Sequence, residues 1–233
     1  MSPKKVLFVL TNIAKIPGTE KEIGWWLAEV AHPFHVINGK AEIVFASPRG
    51  GLAPVDPVSV QYSPDEVSQD FLNNHKALFE QTEPLEKFLG KAAEFDAIYY
   101  PGGHGPMFDV ATDPVSIQLI GEFFALDKTI SAVCHGPAAF VNVILPNGKH
   151  FLEGKKLTGL SNAEEDSFQM SQYMPFPLET KLNEASGGLY TVKDQDAESA
   201  TVVVGNDGKF ITGQNPKSGK VVGEAILKAI GVN

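Results

Sequence analysis

The stretch ISAVCHGPAAF, residues 130–140, decides how the rest of the chain is interpreted. A short apolar run leads to Cys134, and a Gly-Pro pair then opens a helix-like segment. This strand–turn–helix layout is typical of a nucleophile elbow, a sharp corner that lifts a reactive side chain out of a sheet. The alternative is a buried cysteine that packs as a small apolar side chain. Cys134 is the only cysteine of the chain, so an internal disulfide is excluded.

Short apolar runs like the one before Cys134 recur along the chain. Runs of this kind, bounded by Gly or Pro, predict strands that are buried on both faces, as in a parallel sheet. They lie at residues 4–11, 41–47, 95–103, 128–134, 155–161 and 201–213. The last run contains Asn206-Asp207-Gly208, a hairpin turn sequence, and therefore predicts an antiparallel ribbon.

Helical stretches alternate with these strands. They are predicted at residues 19–37, which include Trp25 and Trp26 as core side chains, and at 113–126, 136–144 and 216–230. The alternation predicts an α/β fold: a doubly wound three-layer sandwich with a mostly parallel central sheet. Residues 1–233 would form a single domain, with the polar segment 61–91 as a helical insertion. Active sites of such folds lie beyond the carboxyl ends of the strands.

Composition limits the classes of partner. The net charge of −9 argues against nucleic acid and anionic membranes, which need basic patches. No apolar run reaches the ~18 residues of a membrane span. The run VLFVL (6–10) is short for a signal peptide and is predicted to be the first strand. These features predict a cytoplasmic protein, with the nucleus as a second location.

The residues around Cys134 offer an acid–base set. A helix N-terminus after the elbow is expected to lower the thiol pKa. His135 can act as a base if the chain turns here, and a base needs an orienting carboxylate. Glu164, Glu165 and Asp166 follow the predicted strand at 155–161 and offer one, although three acids in a row also suit a solvated helix start.

Glycine and histidine residues complete the candidate site. The loop PGGHG (101–105) follows a predicted strand, so it should share the sheet edge with Cys134; its His104 either lines a pocket or caps the loop. Gly136 leaves room for a substrate or for a sharp turn. His32 and His35 have the spacing of two metal ligands, but a helix terminus explains them equally and no third ligand is indicated.

Four segments carry a resemblance to a known family: AVCHGPAAF (132–140), PGGHG (101–105), LAEVAHPF (27–34) and LTGLSNAEE (157–165). Over nearly its whole length the chain resembles the PfpI superfamily of class I glutamine-amidotransferase-like folds. Within it, the chain is similar to the fungal heat-shock chaperone branch, which are glutathione-independent glyoxalases (glyoxalase III). The resemblance implies a flavodoxin-like arrangement, in agreement with the alternation of strands and helices.

The resemblance also implies roles for individual residues. Cys134 matches the elbow nucleophile and His135 the histidine of the triad. Glu165 matches the triad acid, with Glu164 as the neighbouring alternative. Glu29 matches the carboxyl group that contacts the nucleophilic sulfur, and Gly103 with the His135 backbone matches the oxyanion site. The His/Glu/His metal site of the family's bacterial chaperones has no residue-by-residue match, so no metal and no cofactor are predicted.

The implied activity is that of a lyase of the glyoxalase III, or D-lactate dehydratase, type. It would convert methylglyoxal to D-lactate through a hemithioacetal on Cys134. A stress-chaperone role toward unfolded clients and assembly into a homodimer are further expectations. Three alternatives remain at this stage. They are a cysteine peptidase, amidase or protein deglycase with an open cleft, a non-enzymatic chaperone, and a redox sensor whose exposed, low-pKa thiol is oxidised.

Overall fold

The computed structural model describes residues 3–193, 199–205 and 207–232. Over these ranges the sheet has seven strands in the order β3-β2-β1-β4-β5-β7-β6. The strands are β1 (Lys5–Val9), β2 (Glu42–Ser47), β3 (Glu83–Pro84), β4 (Ala97–Tyr100), β5 (Thr129–Val133), β6 (Val202–Val204) and β7 (Phe210–Gly213). Neighbours pair in parallel except for β6 and β7, which are antiparallel. The mostly parallel doubly wound sheet predicted from the sequence is thereby confirmed.

Helices cover both faces of this sheet. They are α1 (Leu27–Ile37), α2 (Pro57–Tyr62), α3 (Glu66–Asn74), α4 (Lys76–Glu80), α5 (Pro114–Ala125), α6 (Asn162–Ser167), α7 (Leu178–Ser186) and α8 (Gly219–Ala229). Alternate residues of a strand point to opposite faces. Accordingly Leu7 of β1 packs into a core with α5 and α7, whereas Phe8 packs into a second core with α1, α3 and α8. Two buried faces explain why the strands are apolar at consecutive positions.

The predicted antiparallel ribbon is confirmed by β6 and β7, although Asn206 of its turn lies outside the described residues. The segment 61–91 carries α3 and α4, and it also contributes the short edge strand β3. The run at 6–10 forms β1, as predicted. In the described part of the chain, no helix is long and apolar enough to cross a membrane.

Three predicted elements are wrong: the helices predicted from residues 19 and 136 are shorter than expected, and the segment 155–161 forms no strand. The helix predicted from residue 19 begins at Leu27, because Trp25 lies extended and pairs through its backbone with Pro54 and Asp56. Trp25 and Trp26 are nevertheless buried, as predicted. The segment 155–161 is not a strand: only Leu157 forms a bridge, while the Thr158 N–H donates to the Thr212 side chain at 2.9 Å.

Candidate active site

The elbow forms where β5 ends. Cys134 has a φ of 59°, an uncommon left-handed conformation for a residue with a side chain. A short 3₁₀ helix, Gly136–Phe140, follows in place of the longer helix predicted at 136–144. A Cβ at position 136 would lie 2.0 Å from the Tyr100 carbonyl oxygen, so only glycine fits this turn. Gly136 therefore serves the sharp turn rather than the predicted space for a substrate.

β4 and β5 are neighbours, and this places the loop 101–105 beside Cys134 at one edge of the sheet. Gly103 has a φ of 83°, and a Cβ there would lie 2.4 Å from the Gly24 carbonyl oxygen. The backbone N–H of Gly103 lies near the Cys134 thiol and acts to lower its pKa. This position suits the predicted oxyanion role of Gly103, which stays a prediction together with the role of the His135 backbone.

His135 connects the thiol to a carboxylate. Its Nδ1 lies 3.4 Å from Cys134 Sγ, and its Nε2 lies 2.6 Å from Glu165 Oε2. Burial acts to raise the pKa of Glu165, but the imidazoles of His135 and His104 hold that pKa well below its ordinary value. Glu165 is therefore the ionised partner that keeps His135 in place.

The neighbouring candidate, Glu164, belongs to a different network. Its carboxylate accepts hydrogen bonds from the Ser161 N–H and hydroxyl, both at 2.8 Å, which completes the N-terminal cap of α6. The side-chain amides of Gln214 and Asn215 donate to the same carboxylate at 3.1 Å. The structure thus brings Glu165, and not Glu164, to His135, while Asp166 is exposed.

His104 shares Glu165 with His135. Its Nε2 lies 2.9 Å from Glu165 Oε1, and its ring centroid lies 4.5 Å from that of His135. Burial lowers the pKa of His104, and the neighbouring His135 lowers it further. Of the two sequence-based alternatives, the structure supports the pocket-lining one, because His104 also faces the cavity described below.

Glu29 approaches the thiol from the first turn of α1. It is fully buried, and its Oε2 accepts a hydrogen bond from the Gly102 N–H at 2.7 Å. Its Oε1 finds no hydrogen-bond partner among the described residues, although the carboxyl group contacts the Cys134 thiol. Burial raises the pKa of Glu29 to about 8, so the carboxyl group is protonated at neutral pH. Helical periodicity alone would place Glu29 on the surface.

The expected low pKa of Cys134 is not found. The side chain is 3% exposed, and burial raises the thiol pKa well above its ordinary value, with Glu29 adding to the effect. The sequence-based argument relied on a helix dipole, but the 3₁₀ helix after Cys134 has five residues and little dipole. Burial therefore favours the protonated thiol form of Cys134 over the thiolate.

A cavity of about 270 Å³ opens beside these groups. His104 and Asp56 reach it from the catalytic side, and burial raises the pKa of Asp56. Trp26, Tyr62 and Phe168 form much of its wall. Sequence reasoning missed Asp56 and the aromatic wall, because these residues come from segments far apart in the chain and carry no motif.

One group of side chains in the described ranges has the composition of a metal site. Ligand atoms of His104, His135 and Glu165 lie within 4.8 Å of one another. The hydrogen bonds already described account for their arrangement, and the absence of a metal stays a prediction. His32 is engaged elsewhere, with Nε2 at 3.0 Å from Asp65 Oδ1.

Comparisons with known proteins agree on one family. The model of the DJ-1/PfpI family matches residues 29–229. Glyoxalase 3 of Candida albicans is 29% identical, with 98% of this chain and 99% of that protein covered. The glutathione-independent glyoxalase HSP31 of Saccharomyces cerevisiae is 26% identical, with 94% of each chain covered. The solved structure of Rapid Encystment Protein 24 KDa from Francisella tularensis has a TM-score of 0.89 at 33% identity, covering 97% of this chain and 99% of its own.

Proposed function

We propose, from the premise that the chain belongs to the DJ-1/PfpI family, that it is a glutathione-independent glyoxalase that converts methylglyoxal to D-lactate. One observation carries the proposal: the Cys134 thiol lies between the His135 imidazole, with Nδ1 at 3.4 Å, and the buried carboxyl group of Glu29, whose pKa burial raises to about 8. An internal redox reaction of a 2-oxoaldehyde needs a nucleophile and two proton-transfer groups, and it needs no external electron acceptor.

The first step is addition of sulfur to the aldehyde carbon. As the C–S bond forms, the thiol proton passes to Nδ1 of His135, whose charge Glu165 stabilises. The aldehyde oxygen gains negative charge, which the Gly103 N–H is placed to stabilise. Transfer of the proton from His135 to that oxygen then gives a neutral hemithioacetal.

The second step moves hydrogen from one carbon to its neighbour through an enediol. His135 takes the proton from the hemithioacetal carbon, while Glu29 gives its proton to the ketone oxygen. His135 then protonates the former ketone carbon, and the Glu29 carboxylate takes back a proton from the other enediol oxygen. The product is a thioester, and both residues return to their starting protonation states. Glu29 thus handles oxygen-bound protons because its pKa of about 8 makes it an acid at neutral pH.

The last step is hydrolysis of the thioester. Water adds to the thioester carbonyl with His135 as its base, the C–S bond breaks, and the sulfur recovers a proton. The net reaction adds one water molecule to methylglyoxal and gives lactate. Its handedness depends on the face at which His135 protonates the enediol carbon.

The burial of Cys134 counts against two alternative functions. A peptidase or amidase needs an open cleft at its nucleophile, but the Cys134 thiol is 3% exposed. A redox sensor needs an accessible thiolate, but burial raises the thiol pKa. A chaperone role, a homodimer and a cytoplasmic or nuclear location remain predictions.

The proposal is tested with purified protein and methylglyoxal in the absence of any added thiol. We expect D-lactate and not L-lactate. In D₂O we expect deuterium at carbon 2 of the product, because His135 exchanges the carbon-derived proton with solvent. D-lactate without deuterium would indicate a hydride shift in place of the enediol. No D-lactate at all would contradict the proposed function.

A further inference from the structure

The cavity beside the active site has an aromatic wall that methylglyoxal does not need. Trp26 lies at its centre, with the Tyr62 ring centroid at 6.3 Å and the Phe168 ring centroid at 6.4 Å. Tyr62 ends α2 and Phe168 follows α6, so two distant segments converge on one indole. Both rings are unusually open for large apolar side chains, at 72% and 37% exposure.

This wall is continuous with the catalytic groups. The backbone N–H of Trp26 donates to the Gly102 carbonyl oxygen at 3.2 Å. The next residue, Gly103, has the backbone N–H that lies near the thiol. His104 lines the cavity and bonds to Glu165. Cys134 does not itself line the cavity, so a substrate with its substituent among the aromatic rings would have to pass its aldehyde carbon beyond His104 to meet the thiol.

The size and polarity of the cavity indicate what that other end is. A methyl group fills about the volume of one water molecule, ~30 Å³, whereas the cavity holds about 270 Å³. Ile23, Val58 and Met170 add further apolar lining. Exposed Lys21 and Glu22 are opposite in charge and Asp56 is a further acid, so the lining offers no excess of positive charge to bind an anionic substituent.

We propose that this cavity selects 2-oxoaldehydes whose ketone carries an aromatic ring or another bulky apolar group, in preference to methylglyoxal. The proposal rests on the proposed glyoxalase function and specifies its substrate class. Trp26, Tyr62 and Phe168 are the specificity-determining residues. They act on the substituent, while Cys134, His135 and Glu29 act on the two carbonyl groups.

The test compares kcat/KM for phenylglyoxal and methylglyoxal in the wild type and in the variants Tyr62→Ala and Phe168→Ala. Comparing the ratio of the two values between proteins cancels the difference in intrinsic reactivity between the aldehydes. We expect each variant to lower the ratio by ~10-fold, since apolar contacts of this size change specificity by ~10–200-fold.

Phe124→Ala is the matched control. Phe124 is 39% exposed and packs on Phe151, away from the cavity, so its removal should leave the ratio unchanged. Equal losses with both aldehydes in Tyr62→Ala and Phe168→Ala, or an unchanged ratio in both, would overturn the proposal.

Binding of acetophenone separates this proposal from the proposed function, because this aryl ketone has no aldehyde to react. Saturation-transfer NMR on the wild type should detect acetophenone but not acetone, and the signal should weaken in Tyr62→Ala and Phe168→Ala but not in Phe124→Ala. Binding without turnover of either aldehyde would refute the glyoxalase function and keep the aromatic cavity as a binding site. Absence of acetophenone binding would overturn the cavity proposal even if methylglyoxal is converted.

Discussion

Glu29 on α1 contacts the Cys134 thiol and Glu165 on α6 bonds to the neighbouring His135; both carboxyl groups are buried, yet their pKa values move in opposite directions. Burial raises the pKa of either carboxyl group. Glu29 is compensated by one backbone N–H and a thiol, so its pKa stays at about 8. Glu165 receives two imidazoles, at 2.6 and 2.9 Å, and its pKa falls below the ordinary value.

The difference shows that burial alone does not set the charge of a carboxyl group, because its hydrogen-bonding and charged partners can outweigh the cost of desolvation. Two chemically identical side chains thereby take complementary roles around one sulfur, a neutral acid on one side and an anion that supports a base on the other. The four predictions below test this division, starting with the sulfur that both sides serve.

Removal of the nucleophile gives the largest effect. Cys134→Ala leaves no atom to form the hemithioacetal, so we expect kcat for D-lactate formation to fall by at least roughly 10⁴-fold. The measurement is stereospecific assay of D-lactate, with thermal unfolding as a check that the fold is intact. Activity retained within ~10-fold would mean that neither Glu29 nor Glu165 acts through the sulfur.

Loss of the negative charge of Glu165 should lower kcat nearly as much as loss of the Cys134 thiol. A neutral imidazole carries one N–H, and Glu165 requires it on Nε2, leaving Nδ1 free to accept the thiol proton. In Glu165→Gln the amide N–H₂ can face Nε2 and favour the other tautomer. We expect kcat to fall by ~10³-fold, within the usual range for acid–base groups.

Glu165→Asp is the matched control, because it keeps the charge and shortens the reach. It should retain more activity than Glu165→Gln. The opposite ranking would mean that the length of the side chain matters and its charge does not.

Much of the fold follows from local sequence, since β1 and β4 carry apolar or aromatic side chains at consecutive positions, a pattern that favours strands buried on both faces. The wrong predictions lie in segments whose conformation is set by hydrogen bonds to residues distant in sequence. Residues 155–161 look like a strand, but Thr158 bonds to the side chain of Thr212, which is remote in sequence. Residues before Leu27 continue the helical pattern, but pairing of Trp25 with Pro54 and Asp56 keeps them extended.

The same division holds for the site. Cys134 and His135 are adjacent in the chain, so an elbow motif suffices to indicate them. Glu29 was indicated only by family resemblance, because helical periodicity does not reveal a buried acid. The pKa of Cys134 was predicted in the wrong direction, because it depends on burial by the whole fold and on Glu29 across the site.

The protonated state of Glu29 can be tested through the pH dependence of the free energy of unfolding. Burial raises the pKa of Glu29 from 4.5 to about 8, so between these pH values the folded protein keeps a proton that the unfolded chain loses. The contribution of Glu29 to the free energy of unfolding is therefore complete below pH 4.5. It declines as the pH rises toward 8, by up to ~1.4 kcal/mol per pH unit.

Glu29→Gln lacks this proton and this decline. Urea unfolding of both proteins across this pH range should show the variant gaining stability relative to the wild type as the pH rises. Glu94→Gln, which changes an exposed glutamate, should show no such trend. A constant difference between Glu29→Gln and wild type would mean that Glu29 is ionised in the folded protein, and the contrast with Glu165 would be lost.

The smallest expected effect on activity concerns Glu164, which is adjacent to Glu165 and is also buried. None of the four hydrogen bonds to its carboxylate comes from His135. The carboxylate accepts all four of these bonds. The side-chain amide of Glu164→Gln must therefore place its N–H₂ group against at least one donor, and that bond is lost. We expect a loss of about 1–3 kcal/mol in the free energy of unfolding. Activity should stay within ~3-fold, because Glu165 and His135 are unchanged. If kcat instead falls as far as in Glu165→Gln, the ordered start of α6 would matter more than the charge of Glu165, and the two sides of the site would differ in rigidity and not in protonation.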